Sequence, residues 1–242
     1  MRLTGARVCR RARGAAVTAA VLSVVLAAGA CTDDEKAGEA RGQTPSELLA
    51  SARANLEKSP SVSFTLESQG LPGKAVGISG AKGTGRFTPP SFTGTLNASV
   101  NGVTGTVDVI AVEQDVYMKF FTPDYNRIDP ADYGAPNPAQ LFDTTTGVTS
   151  LVDTTEGLRK DATVRDGADV LATLKGTLPG AAVADLLVVG DRAGTFEVTY
   201  GVTDRSHELR TVVLTGPFYE GATSTYTLRL KRLDQPVEIT RP

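Results

Sequence analysis

Several groups of residues carry side chains able to do chemistry, and each has a plainer reading beside it. His207 is the sole histidine and lies in Asp204-Arg205-Ser206-His207-Glu208. A serine hydrolase needs such an imidazole held by a buried acid and aimed at a serine, and a polar stretch between two predicted strands is a poor place for one. An envelope hydrolase is therefore the least favoured reading. Gly80-Ala81-Lys82-Gly83-Thr84-Gly85 looks like a phosphate loop, yet it lacks the Gly-Lys-Ser/Thr ending and no parallel strand-helix unit follows. Glycines in antiparallel strands mark bulges or bends, so these are assigned to sheet curvature. Asp124, Asp129 and Asp132 fit no calcium loop, and Asp129-Pro130 reads better as a helix cap with proline in the first position. Asn97-Ala98-Ser99 matches a glycosylation acceptor but falls inside a predicted strand. No metal cluster, nucleophile-base pair or cofactor loop emerges, so the expectation is a protein without catalysis, metal or cofactor, built for binding or transport.

The remaining reactive side chain is Cys31. Upstream stand Arg2, Arg7, Arg10, Arg11 and Arg13, then an uncharged, Ala-rich run from Gly14 to Thr32. A basic start, a short apolar run and small residues before a cut are the marks of a secretory signal peptide, and the run is short and weakly apolar for a membrane span. Residues 1–30 are read as that signal. Leu26-Ala27-Ala28-Gly29-Ala30-Cys31 resembles the lipobox of bacterial lipoproteins, with Ala28 where the commonest form carries Leu. The resemblance implies that Cys31 is diacylated, becomes the first residue and fastens the protein to the cytoplasmic membrane on its extracytoplasmic face. The plainer reading is ordinary cleavage that leaves Cys31 as a free thiol. The second cysteine, Cys9, leaves with the signal, so no disulfide can form within the mature chain.

With the five leader arginines gone, 20 basic residues face 27 acidic ones, near −7. A nucleic-acid surface would be basic, so nucleic acid is excluded as a partner, and attachment to lipid falls to the acyl chains; two chains anchor stably where one does not. Residues 31–43 are charged and Gly/Ala-rich and read as a tether, reaching roughly 40 Å at full extension. Residues 44–242 then form one domain.

Thr44-Pro45-Ser46-Glu47 is a capping box, after which Leu48, Leu49, Ala52 and Leu56 share a helical stripe and Ser59-Pro60 discourages continuation. From Val62 the period becomes two: Val62, Phe64 and Leu66; Leu96, Ala98 and Val100; Val107, Val109 and Ala111; Phe196, Val198, Tyr200 and Val202; Tyr226, Leu228 and Leu230. Such alternation predicts strands with one buried face. Turns are predicted at Gly70-Leu71-Pro72-Gly73, Pro89-Pro90, Asn101-Gly102 and Glu113-Gln114-Asp115. Short helical segments are predicted at Ala139–Leu141, Gly147–Thr155 and Gly180–Val188. A long antiparallel sheet with one apolar face needs a cover, and it either folds over a packed core or encloses a ligand. Pattern alone leaves both open, with packing the commoner outcome.

The order of features along residues 44–239 resembles the LppX/LprA/LprF/LprG family of actinobacterial lipoproteins. The residues that carry it are Leu71-Pro72-Gly73, Phe87-Thr88-Pro89-Pro90, Phe92-Thr93-Gly94-Thr95-Leu96, Val107 to Val112 leading to Tyr117, Asp129-Pro130-Ala131 to Asn137-Pro138-Ala139-Gln140, Thr146 to Val152, Lys175 to Pro179, and Leu233-Asp234-Gln235-Pro236-Val237-Glu238-Ile239. The family ending usually has a tryptophan where this chain has Arg232-Leu233, and this chain has no tryptophan.

The resemblance implies an α+β fold: a large curved antiparallel sheet, a half-barrel, with helices covering its concave face and an apolar ligand cavity between. It implies binding of acylated lipids or glycolipids, carried or presented in the cell envelope, with a membrane lipid transporter as candidate partner. A buried chain of about 16 methylenes gains roughly 0.8 kcal/mol for each before ordering costs. By alternation and family topology the cavity lining is expected to be Val62, Phe64, Leu66, Leu96, Ala98, Val107, Val109, Phe196, Val198 and Leu228, with Leu151 and Val152 on a covering helix. The competing reading is a structural lipoprotein with a packed core that docks onto envelope proteins.

Overall fold

The capping box at Thr44 forms as its residue types dictate. In the computed structural model, which describes residues 43–73, 75–100, 103–120 and 123–242, the Thr44 hydroxyl accepts from the Glu47 amide at 3.2 Å while the Glu47 carboxylate accepts from the Thr44 amide at 2.8 Å. The bonds from Thr44, its backbone amide first, hold the Glu47 carboxyl below its usual range. Helix α1 runs Pro45–Glu57 and buries Leu49, Ala52 and Leu56. The signal segment, Cys31, nearly all of the tether and the Asn101-Gly102 turn lie outside the described residues.

Eleven strands follow: β1 Ser61–Gln69, β2 Gly77–Phe87, β3 Pro90–Val100, β4 Val103–Val112, β5 Asp115–Lys119, β6 Asn126–Ile128, β7 Glu156–Asp166, β8 Asp169–Pro179, β9 Thr195–Thr203, β10 Leu209–Tyr219 and β11 Ala222–Leu233. Helix α2, Gly180–Leu187, joins β8 to β9. The strands make one antiparallel sheet in the order β6-β5-β4-β3-β2-β1-β11-β10-β9-β8-β7. Two meanders, each paired only between chain neighbours, meet where β1 pairs with β11 from Ser61↔Leu233 to Gln69↔Thr225.

This arrangement corrects the expected half-barrel with helices over a cavity. The sheet is open, with β6 and β7 as unpaired edges, and it does not curl closed. The described residues hold two α-helices. The segments expected to supply further cover form only short 3-10 turns at Pro130–Tyr133, Gln140–Phe142 and Val148–Val152. The Gln140–Phe142 turn ends for a local cause: the Asp143 carboxylate after it accepts from the amides of Thr145 and Thr146 at 2.8 Å, side-chain bonds that favour a turn over a continuing helix. Aromatic side chains from the sheet and from the Gln140–Phe142 turn fill part of the apolar face. Phe64 packs on Phe92 and Phe142, which meets Phe87, with ring centroids 5.6 to 6.0 Å apart. Phe218 meets Phe196 and Tyr226 edge-on at 4.8 and 4.6 Å.

Gly85 shows how tightly this interior is fitted. A Cβ there would fall 2.1 Å from Cζ of Phe142, so the missing side chain is the socket for that ring. Helix α1 packs against β7, β9 and β10, and its Arg53 joins Glu57, Asp153 and the Thr144 carbonyl.

The C-terminal segment returns along one end of the sheet. Val237 N donates to Ser61 Oγ at 2.8 Å, Ile239 is buried, and Arg241 reaches Asp115 at 2.7 Å and Glu113 at 3.1 Å. Arg127 also pairs with Asp115. Hydrogen bonding from Arg241, with the charges of Arg127 and Arg241, holds the Asp115 carboxyl below its usual range.

Two outcomes follow. Phe142→Ala should cost about 3 to 5 kcal/mol and Gly85→Ala about 1 to 3 kcal/mol by overpacking. In thermal melts the double variant should be no less stable than Phe142→Ala alone, because the added methyl then enters vacated space; additive losses would contradict the socket. Secondly, a carboxylate with a depressed folded pKa contributes stability above its unfolded pKa, near 3.9, and loses it as pH falls through the folded value. The Tm difference between wild type and Arg241→Ala should therefore be present at pH 7 and shrink below about pH 4.

Candidate functional site

Directly opposed residues of neighbouring strands share a face, so the register locates one continuous apolar row. Val107 opposes Leu96, Leu96 opposes Ala81, Ala81 opposes Leu66, Leu66 opposes Leu228, and Leu228 opposes Val212. The row crosses six adjacent strands, from β4 to β10. At about 4.8 Å per strand it spans roughly 24 Å, longer than the ~15 Å depth of one leaflet's hydrocarbon. All six residues are half-buried.

On one flank the row borders the packed interior, where Val109, Phe64 and Leu230 are buried. On the other flank Tyr226 opposes Leu214 and stands two residues from Leu228 on the same face. Its hydroxyl meets that of Tyr219 at 2.9 Å, and burial, reinforced by Tyr219, holds the Tyr226 phenol well above its usual range. Beyond Val212 the same line reaches Tyr200, where burial pushes the phenol up to about 12 against the easing hydrogen bond with Thr155, 2.8 Å away. The row itself holds no titratable group, and it can offer a ligand only apolar surface.

The ten expected strand residues all lie on this one face. They divide by depth: Val62, Phe64, Val109, Phe196 and Val198 are buried among core side chains, whereas Leu66, Leu96, Ala98, Val107 and Leu228 are half-buried. Leu151 and Val152 are half-buried on a 3-10 turn packed against the core, not on a covering helix. Sequence reading missed Ala81 and Val212. Ala81 sits among glycines that blur the alternation of β2, and Val212-Val213-Leu214 is an unbroken apolar run without a period.

The residues weighed for chemistry take structural places. His207 occupies a turn at φ +49°, its carbonyl accepting from Asn55 at 3.2 Å, while the neighbouring Ser206 hydroxyl pairs with Thr203. Asp129 caps the Pro130–Tyr133 turn, accepting from the Ala131 amide at 2.9 Å. Asn97 accepts from the Thr106 hydroxyl across β3 and β4. Among the described residues no three His, Cys, Asp or Glu side chains gather as metal ligands.

A surface groove of about 580 Å³ lies at the β10–β11 turn, lined by Gly190, Asp191 and residues 217–223. A smaller hollow of about 130 Å³ lies between β1 and β11 at Ser63–Thr65 and Arg229–Lys231.

No curated protein matches the chain in sequence. Among solved structures it is similar to LprF from Mycobacterium bovis, at TM-score 0.68 and 15% identity, covering 83% of this chain and 99% of that one. It is also similar to lipoprotein LppX from Mycobacterium tuberculosis, at TM-score 0.59 and 18% identity, covering 80% of this chain and 98% of that one. These likenesses establish the fold. The profile of one family, described as LppX_LprAFG lipoprotein, matches residues 44–239. The chain therefore belongs to the LppX_LprAFG lipoproteins, a membership that supports a general lipid-binding role.

Proposed function

We propose that this chain takes up acylated lipids or glycolipids along the six-strand apolar row and carries or presents them in the cell envelope. It does so while anchored to the extracytoplasmic face of the cytoplasmic membrane by acylated Cys31, alongside a membrane lipid transporter. The observation that carries the reading is the row itself: Val107, Leu96, Ala81, Leu66, Leu228 and Val212 in one register-locked line, each side chain left half-open beside a filled core. An acyl chain laid along it removes apolar surface from water on both partners, at about 25 cal/mol per Å². The twelve expected lining residues then serve in two ways. Leu66, Leu96, Ala98, Val107 and Leu228 meet the chain. Val62, Phe64, Val109, Leu151, Val152, Phe196 and Val198 hold the floor beneath it.

The filled core favours a second reading, a packed lipoprotein that docks onto envelope proteins. Native mass spectrometry of the full chain exported from an actinobacterial host, with lipid extraction of the same sample, separates the two. Near-stoichiometric acyl species are expected. A lipid-free mass unchanged after incubation with envelope lipids would favour docking.

Leu66→Lys places a charge at the centre of the row. Forfeiting about 1.5 to 3 kcal/mol of apolar contact should lower lipid loading at least tenfold. Thr65→Lys, on the exposed opposite face, should load as wild type. Equal loading of both variants would remove the row from the function. Cys31→Ser should move the protein from the membrane fraction to the soluble one, since stable anchoring needs the paired acyl chains; retention on membranes would show another attachment.

A further inference from the structure

The hollow of about 130 Å³ between β1 and β11 has chemistry unlike that of the apolar row. Phe64 and Leu230 are buried in the interior there, so alternation sends Ser63, Thr65, Arg229 and Lys231 to the opposite face of the sheet, where they line it. Ser63 opposes Lys231, and Thr65 opposes both Arg229 and Lys82. Three cations are thereby set around one spot, in a chain whose acids outnumber its bases.

Two segments wall the hollow. Toward the start of β1 the C-terminal segment is fastened to Ser61, two residues from Ser63 on the same face, by the Val237 amide at 2.8 Å. Toward the other end the β7–β8 turn brings Asp166 to Arg229 at 2.8 Å and Asp169 to Arg210 at 3.2 Å. Asp166 therefore orients the Arg229 guanidinium while occupying part of it. Among the described residues Lys231 and Lys82 form no ion pair, and the Ser63 hydroxyl makes no hydrogen bond. Glu67 stands diagonal to Lys82 in the ladder. Three cations against two carboxylates leave one positive charge in excess.

We infer that this hollow is a phosphate-binding site, which holds one phosphate group between Lys231 and Arg229 with the Ser63 hydroxyl as a further donor. Bonds from an ammonium and a guanidinium to phosphate oxygens are charge-assisted and strong, and a hydroxyl adds a donor without adding charge. The single excess charge suits one phosphate, whether the free ion or the phosphodiester of a phospholipid headgroup. The site lies across the sheet from the row and is independent of lipid carriage.

The test is calorimetric titration of the full chain in dodecyl maltoside micelles, which carry no phosphate, at low ionic strength. One arm uses inorganic phosphate, the other glycerophosphoglycerol, a phospholipid headgroup without acyl chains, so that the row takes no part. Wild type should bind at least one of them with a Kd of about 1 mM or tighter. Lys231→Gln should weaken binding at least fivefold, whereas Lys160→Gln, which removes a β7 cation outside the hollow, should bind as wild type. Asp166→Asn should bind at least threefold more tightly, because Arg229 loses the carboxylate that competes for it; a damaged fold does not produce such a gain. Tighter binding of the headgroup assigns the site to phospholipid, tighter binding of the inorganic ion assigns it to free phosphate, and equal affinities assign it to the phosphate group alone; each upholds the site. Binding of neither ligand, unchanged affinity in Lys231→Gln, an equal loss in Lys160→Gln, or no gain in Asp166→Asn would overturn it.

Discussion

The ladder between β1 and β11 is the constraint on which the rest of the sheet depends. Every other strand pairing joins elements that are neighbours in the chain, but this one joins residues 61–69 to residues 225–233. It fuses two meanders that would otherwise each expose a long edge. It also fixes which side chains face which way. Leu66 meets Leu228 across it, and a slip of one residue would turn one half's apolar set to the opposite face. The core clusters on either side, around Phe142 and around Phe196, become one interior only through that register. The C-terminal segment reinforces the same joint, because Val237 bonds Ser61 at the first residue of the ladder.

Much of this order was legible in the sequence, and where it was not the cause is physical. The capping box at Thr44 and the cap at Asp129 are local chemistry, decided within three residues. The alternation of β1, β3, β4, β9 and β11 is clean because apolar residues hold one face of each and mainly polar or small residues the other. β7 escapes such reading: nearly all its side chains are exposed, so an edge strand of charged residues carries no apolar period. β2 is glycine-rich, and two of its glycines serve close approach, Gly85 to the Phe142 ring and Gly83 to the backbone of β3. The sequence reading assigned these glycines to sheet curvature, and nothing local in the sequence announces a ring arriving from residue 142.

The expectation of a half-barrel under helices failed for a different reason. Alternation reports that a face is buried but not what buries it. The segments between residues 139 and 155 spend their backbone on Asp143-centred turns and 3-10 geometry, so they cover the sheet with single side chains such as Phe142, whose ring reaches Phe64 and Phe87, while α1 packs on β7, β9 and β10 and α2 on β8 and β9. The candidate site is then the remainder: the line of apolar residues that the core does not fully reach. All ten strand residues expected on the lining share its face, yet only depth separates those that support from those left half-open, and depth is set by partners far away in sequence.

The late position of β11 has a bearing on how the protein comes into being. Ribosomes deliver the amino end first, so β1 to β6 can pair while β1 still lacks its second neighbour, and the opposite meander is equally incomplete until residue 233 has emerged. Contacts between residues so distant form slowly. Through that interval two unsatisfied strand edges and an unfinished oily surface coexist in one polypeptide, the combination most prone to sticking to its own copies. A chain shortened before β11 would be arrested in that condition permanently.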